Sequence, residues 1–340
     1  MRALITVPGN TAAVQDKAVP EPGPHEIRIK VHSVALNPVD ALYTSHPPAP
    51  PGRVVGSDIA GVVDKLGEGV LRWNVGDRVA GFLQGATCEN ERPGGFAEYA
   101  ILEWDLAIAI LKEVSFDEAA TVPLCSLTAA QSLLIYSVTT SLGLFVLELS
   151  KLLRTPTDKC YRIFATASPK NHQKLLDLGV EKAFDYRDPD WPQRVKEASG
   201  GIHYAVDCIS EGDSTAKISR TYNNGGGVIA CIRKSTWDKE GIRDGVVGLY
   251  SSVWIGLGKD IRYNGPLLCC AFGSHQLIVL PLGELMPPDP TWRDFSVSYY
   301  NWLSNAGVAK KFSIPPNPVR LMPGGIERIV PDGFTLLGSN

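Results

Sequence analysis

The sequence predicts an α/β chain of two domains, and three observations carry that reading. The first third holds apolar runs that alternate or run continuously between Pro and Gly turns, the texture of β structure. Ser115, followed three residues later by Glu118, is a capping-box signature that opens a helical region. From Leu133 to about Ile232, strand-like and helix-like runs then alternate, as in a doubly wound parallel sheet. The length of 340 residues suits about two domains rather than one core.

The strands of the first part are "RALITV", "EIRIKVHSVAL", "IAGVVDKLG", "DRVAGF" and "GGFAEYAIL". "PEPGPHE" reads as a loop, and Gly76-Asp77 as a tight turn. In the second part, "LLIY" is a strand and "LGLFVLELSKLL" the helix that follows it. "YRIFATA" leads into the helix "PKNHQKLLDLG", closed by Gly179. "KAFDY" is extended, "WPQRVKEASGG" is a helix with Pro192 in its first turn, and "IHYAVDCI" and "GGGVIACI" are strands.

Composition bounds the function. Hydrophobic residues make up 44% and charged residues 20%, a globular balance. A net charge of −3 offers no basic field for nucleic acid or an anionic membrane surface. The N-terminus lacks a charged stretch followed by an apolar run, and no apolar run reaches membrane-spanning length, so a cytoplasmic location is the expectation. The seven cysteines include no C-x-x-C pair, and their number is odd. They read as buried thiols in a reducing compartment. The six histidines form no metal-ligand spacing, and Cys88 stands alone in its loop, so no metal is expected. There is no G-x-S-x-G elbow for a serine nucleophile.

The chemistry-bearing stretch is the turn after "LLIY", Ser-Val-Thr-Thr-Ser-Leu-Gly. In a doubly wound sheet this turn aims a helix N-terminus at a phosphate, where unsatisfied N–H groups and the helix dipole favour an anion. Thr139, Thr140 and Ser141 offer hydroxyls, and Gly143 suits close packing of helix on strand. A purely structural turn is the other reading. An NAD site carries an acid at the end of the second strand. Here that strand ends in Ser168-Pro169-Lys170-Asn171-His172, with no acid. A hydroxyl, an ammonium and an amide suit a 2′-phosphate, which predicts NADP over NAD. Tyr186, in "FDYRDP", stacks on an adenine, contacts a ribose, or packs in an interface.

"VALNPVDALYTS", "VVGSDIAGVVDKLGEGV", "VGDRVAG", "GGFAEYAIL", "FDEAATVPLCSLTAAQ", "FATASPKNH" and "FDYRDPDW" occur in this order. Together they resemble the medium-chain dehydrogenase/reductase superfamily. Within it they resemble the zinc-independent branch of quinone-oxidoreductase-like proteins and of the trans-acting enoyl reductases and dehydrogenases of fungal polyketide clusters. The resemblance spans nearly the whole chain. It implies a GroES-like β domain over 1–127 and 291–340, and a Rossmann NADP-binding domain over 128–290. Zinc-dependent relatives carry Cys where this chain has Asn37-Pro38, and His-Glu where it has Ser57-Asp58. By resemblance, Asn37, Pro38 and Asp40 lie near the nicotinamide. Ser168, Lys170 and Asn171 lie at the 2′-phosphate of NADPH, Tyr186 at the ribose or adenine, and Cys231 among the cofactor-binding residues.

The chain departs from the family pattern in three places. Two early glycines of the turn are replaced by Ser137 and Val138, the latter putting a branched side chain where the pyrophosphate should approach. Only Ser132 separates "LTAAQ" from "LLIY", which reads as a deletion. The apolar segment near 267–288 reads as an insert; a mis-set exon boundary or a dimer-edge hairpin accounts for it. The implied activity is zinc-independent enoyl or enone reduction by NADPH in secondary metabolism. The substrate is a small molecule, with a polyketide synthase as a partner and a monomer or homodimer as the assembly. For the oxyanion, backbone N–H groups, the Asn37 amide and the cofactor's 2′-hydroxyl are the candidates; for the proton, water or Tyr43. Alcohol dehydrogenation and a non-catalytic or inactive NADPH-binding relative are the alternatives.

Overall fold

The computed structural model describes residues 1–87, 93–130, 136–153, 160–232, 241–250, 253–259, 261–262, 267–270, 277–280, 285–286, 288–305 and 319–337. Two compact units result: Met1–Leu124 with Trp254–Pro266 and Pro281–Asn340, and Cys125–Val253 with Leu267–Leu280. Among the described residues no helix is long and apolar enough to cross a membrane.

In the first unit β1 (Arg2–Val7) and β2 (Thr11–Asp16) form a hairpin, its turn carrying Gly9 and Asn10 at positive φ. β3 (Glu26–Ala35) leads into helix α1 (Pro38–Ser45), and β4 (Asp58–Leu66), β5 (Arg78–Phe82), β6 (Tyr99–Glu103) and β7 (Ile108–Ala109) follow. These strands form one antiparallel sheet in the order β6-β3-β4-β5-β7. The alternating residues Ile27, Ile29, Ile59, Val63, Val79 and Leu102 turn one face inward as a buried core. The capping box forms as expected: the Glu118 N–H donates to Ser115 Oγ at 3.1 Å and the Ser115 N–H to Glu118 Oε2 at 2.9 Å. It opens α2 (Phe116–Ala120), and α3 (Pro123–Ala130) follows.

The second unit is the wound sheet. Helix α4 (Ser141–Ser150) precedes β8 (Phe164–Thr166), α5 (His172–Asp177), β9 (Lys182–Phe184) and α6 (Trp191–Ser199). β10 (Tyr204–Asp207), α7 (Ser214–Ser219), β11 (Gly227–Cys231) and β12 (Val246–Tyr250) complete it. β8 pairs with β9, and β10-β11-β12 run parallel. Tyr136–Val138 joins the two sets. The Tyr136 N–H donates to Val206 O at 2.7 Å, and the Val138 N–H donates to Thr166 O at 3.3 Å. The order is therefore β9-β8-(136–138)-β10-β11-β12, with the direction of winding reversing at 136–138. Gly179 and Gly200 end α5 and α6 at φ 93° and 77°, conformations that favour glycine.

β13 (Ile261–Arg262) pairs with β16 (Leu285–Met286). Between them in sequence, β14 (Leu267–Cys270) and β15 (Leu277–Leu280), both within the 267–288 segment, pair antiparallel. The junction at 132, Cys88 and Tyr263 lie outside the described residues. Val253–Leu257 coils into a 3₁₀ turn that buries Trp254 against Phe82, their rings 5.6 Å apart. "PDGF", whose Pro-Asp-Gly composition is that of a turn, is part of a helical stretch over 329–337. Ile329, Val330 and Phe334 pack there with Leu4 and Leu36, so tertiary burial overrides the local turn signal. Helix α8 (Pro290–Leu303) packs back on the first unit, with the Tyr300 hydroxyl donating to Pro123 O at 2.9 Å.

Gly56 precedes the start of β4 at φ 103°, and a Cβ there would lie 2.2 Å from the fully buried Phe96 ring. Gly56→Ala combines a disfavoured backbone with a clash, and is expected to cost about 3 kcal/mol. A thermal melt checks this; an unchanged midpoint would contradict it.

Candidate functional site

Each unit carries candidate functional residues. In the first, antiparallel pairing sets Ala35 opposite Asp58, so the end of β3 meets the start of β4. Asn37, two residues past that pair, thereby reaches Ser57 and Asp58. Its Nδ2 donates to Ser57 Oγ at 3.2 Å and to Asp58 Oδ2 at 2.9 Å. The Ser57 hydroxyl donates in turn to Asp40 Oδ1 at 2.8 Å, and the Asn37 N–H donates to Asp40 Oδ2 at 2.8 Å. Asp58 Oδ1 accepts from the Leu124 N–H at 3.0 Å. All four side chains are buried, none more than 4% exposed. These are the positions where zinc-dependent relatives place ligands; here the side chains bind one another.

Burial decides the protonation of the two acids. It pushes the Asp40 carboxyl up to about 7, against the Asn37 N–H and Ser57 hydroxyl bonds that favour its anion. It pushes Asp58 well above the usual carboxylate range, opposed by the Asn37 amide and the Leu124 N–H and reinforced by the Asp40 charge. Both side-chain N–H donors of Asn37 are already committed inside this network. Its amide therefore positions the end of β3 and is not left over as an oxyanion donor. Tyr43 lies on α1, one turn beyond Asp40, and is half-buried.

In the second unit the turn 137–140 sits at the reversal point of the sheet. Thr140 caps α4: its Oγ1 accepts from the Gly143 N–H at 3.0 Å and donates to Ser137 O at 3.0 Å. A Cβ on Gly143 would lie 2.7 Å from Ser137 O, Val138 Cα and Val138 O, so glycine lets the helix press on the turn. Thr139 and Ser141 are exposed, Thr140 half-exposed. Ser137 takes φ 63°, a left-handed conformation that costs a non-glycine residue about 1–2 kcal/mol. Val138 is fully buried, which corrects the expectation that it stands in a phosphate's path. Its branched side chain points to the core because the adjoining backbone completes the sheet.

Beside the turn, β8 ends at Thr166 and the loop Ser168–Asn171 follows. Among the described residues, the side chains of Ser168, Lys170 and Asn171 engage no hydrogen bond or ion pair; Lys170 is exposed. His172 turns back to Ala167 O, 3.0 Å from its Nε2. Tyr186 is 40% exposed. Cys231 is 2% exposed, its Sγ donating to Ile229 O at 3.7 Å, and burial pushes its thiol up to about 12. Its side chain thus belongs to the core cluster of β10 and β11 rather than to a ligand face.

Three residues escaped the sequence reading. Asp207, at the end of β10, accepts from the Ser210 N–H and from the hydroxyls of Ser214 and Thr215 at 2.6–2.8 Å, fixing the loop that follows. Asp185 and Arg187 lie beside the Ser168 loop, whereas an acid was sought only at the end of the second strand. The F-D-Y-R stretch held the signal, because parallel pairing brings the ends of adjacent strands level. Among the described residues, no group of three or more His, Cys, Asp or Glu side chains could hold a metal ion.

A pH dependence follows from the two buried acids. Each holds its proton more tightly folded than unfolded, so each contributes a loss of stability as pH rises from about 4, through about 7 for Asp40. Asp58→Asn adds a constant penalty but removes its share of that slope. Relative to wild type, the variant is expected to recover stability as pH rises from 4 to 8. Melting curves that stay parallel across that range would refute this.

Residues 23–112 match the alcohol dehydrogenase GroES-like domain. The trans-enoyl reductase ACTTS2 of Alternaria alternata is 29% identical over 355 residues, covering 98% of this chain and 94% of that protein. The trans-enoyl reductase tazE of Aspergillus terreus is 34% identical over 240 residues, covering 62% of this chain and 77% of that protein. The solved CurK enoyl reductase shares the fold at a TM-score of 0.62 and 21% identity, covering 75% of this chain and 82% of its own. Sheet order, the GroES-like match and these alignments agree: the chain is an oxidoreductase that belongs to the trans-enoyl reductase family of medium-chain dehydrogenase/reductases.

Proposed function

We propose that the chain is a cytoplasmic, NADPH-dependent, zinc-independent enoyl reductase that acts on an enoyl or enone substrate in fungal polyketide metabolism, with a polyketide synthase as its partner. One observation carries the cofactor reading. In a chain of this family, the capped turn at the sheet's reversal point lies beside a strand end whose Ser168, Lys170 and Asn171 side chains are unengaged. Such donors, one of them cationic, suit a 2′-phosphate.

The residues fit the group. Gly143 lets the N-terminus of α4 press against the turn, where its N–H groups and the hydroxyls of Thr139, Thr140 and Ser141 bind a pyrophosphate. Ser168, Lys170 and Asn171 hold the 2′-phosphate, and the exposed Tyr186 covers the ribose or adenine. Bound NADPH supplies the hydride to the β-carbon of an activated C=C bond. The negative charge that would grow on the substrate carbonyl oxygen would be stabilised by backbone N–H groups, since the Asn37 donors are committed. The buried network of Asn37, Asp40, Ser57 and Asp58 holds Pro38 and the start of α1 in place. The proton at the α-carbon comes from Tyr43 or from water.

Fluorescence titration of the purified chain is expected to show NADPH binding at least about tenfold more tightly than NADH, a difference of about 1.4 kcal/mol. NADPH oxidation is expected with an α,β-unsaturated thioester, and no NADP⁺ reduction with a secondary alcohol. Binding to neither dinucleotide would end this reading.

Tyr43→Phe is expected to lower kcat about 10²-fold with KM little changed, the effect of losing a general acid. A kcat at the wild-type level would assign the proton to water.

A further inference from the structure

The strand end that would hold the 2′-phosphate has an acid beside it. β8 and β9 run parallel with Thr166 opposite Phe184, and the Ala167 N–H donates to Phe184 O at 2.9 Å. The two strands therefore end level, with Ala167 and Asp185 side by side about 5 Å apart, and the loop that begins at Ser168 leaves next to the one that begins at Asp185. The hydrogen bond between His172 and Ala167 O folds the start of α5 onto the same end.

Asp185 is not left bare. Arg187 grips it three times: its N–H and Nε donate to Asp185 Oδ1 at 3.1 and 2.9 Å, and its Nη2 to Oδ2 at 3.0 Å. The guanidinium carbon also lies 5.7 Å from the centre of the Tyr186 ring between them. This pairing holds the Asp185 carboxyl below its ordinary range, with His172 a smaller contributor through its charge. Asp188, three residues on, is itself paired with Arg194 at 2.5 Å. Arg187 stays 59% exposed on its side chain and Asp185 27%, so both border solvent.

A carboxylate at this place has opposite meanings for the two dinucleotides. It accepts a hydrogen bond from a free 2′-hydroxyl and repels a 2′-phosphate. A guanidinium laid over it in a two-pronged grip cancels that charge and satisfies its oxygens. We propose that Arg187 sets the preference for the phosphorylated dinucleotide by covering the Asp185 carboxylate beside the Ser168–Lys170 loop. Lys170 supplies attraction, and Arg187 removes a repulsion that would otherwise offset it. Selectivity then depends on a difference of affinities, with the unfavourable element masked rather than absent. The inference rests on the reading that Ser168 and Lys170 face the 2′ position.

The test is a double-mutant cycle on the full-length chain, titrated at low salt with NADPH and with NADH, folding being checked by thermal melts. Arg187→Ala is expected to weaken NADPH about tenfold, with NADH unchanged or tightened. Asp185→Asn is expected to keep NADPH at least as tight as wild type. The double variant, with no carboxylate left to cover, is expected to return to within about twofold of the wild-type NADPH affinity. Equal weakening of both dinucleotides in Arg187→Ala, or no rescue in the double variant, would overturn the proposal. Rescue is the readout that a merely structural arginine would not give. A wild-type chain that prefers NADPH while Arg187→Ala keeps the ratio refutes this inference alone. A wild-type chain that prefers NADH, or binds neither, refutes the NADPH reading and this inference with it.

Discussion

An acid that opens a central strand has no water to solvate it, and Asp58 is such an acid. Its two oxygens must find donors inside the protein, and they find the Asn37 amide and the Leu124 N–H. That single requirement ties together the end of β3, the first turn of α1, the start of β4 and the start of α3. Removing one partner would leave a buried group uncompensated, which is far costlier than never having buried it. Ser57 and Asp40 complete the circuit, so each donor in it has an acceptor.

The second unit is organised by a different constraint. Its sheet reverses its direction of winding at 136–138, which leaves a crevice at the carboxyl ends of the strands. Every polar feature of interest gathers there: the α4 cap, the unengaged donors of the Ser168 loop, the Asp185–Arg187 pair and the closed Asp207 loop. The turn tolerates departures from a glycine-rich pattern because only one position truly needs glycine. At Gly143 a Cβ would strike backbone, whereas Ser137 bears a left-handed φ at modest cost and Val138 turns inward.

The two units contribute different kinds of chemistry. The first offers a rigid, self-satisfied polar network whose side chains are saturated, and so its contribution is position. The second offers exposed and unengaged groups beside a helix N-terminus, the groups on which the proposed binding of the cofactor rests. This division suits an oxidoreductase whose reactive group is carried by a cofactor while the protein supplies place and field.

Much was legible in the sequence by itself. The alternation of apolar runs fixes strands and helices because burial of one face demands that period, and the Ser115–Glu118 box formed because its bonds are local. That the S-P-K-N-H loop follows β8 and that the hydroxyl-rich turn opens α4 was legible for the same reason: such turns are set within a few residues. What the sequence could not determine was which distant residues become neighbours. Antiparallel pairing brought Asn37 to Asp58, and parallel pairing set Asp185 level with Ala167, next to the Ser168 loop, although the sequence shows no acid at the second strand's end. Burial likewise decided that Val138 and Cys231 face the core, and packing on Leu4 and Leu36 turned "PDGF" from a turn into a helix. Local propensity acts along the chain, whereas charge balance, donor availability and exposure are set by the sheet register and the packing around it, and those exist only in the folded molecule.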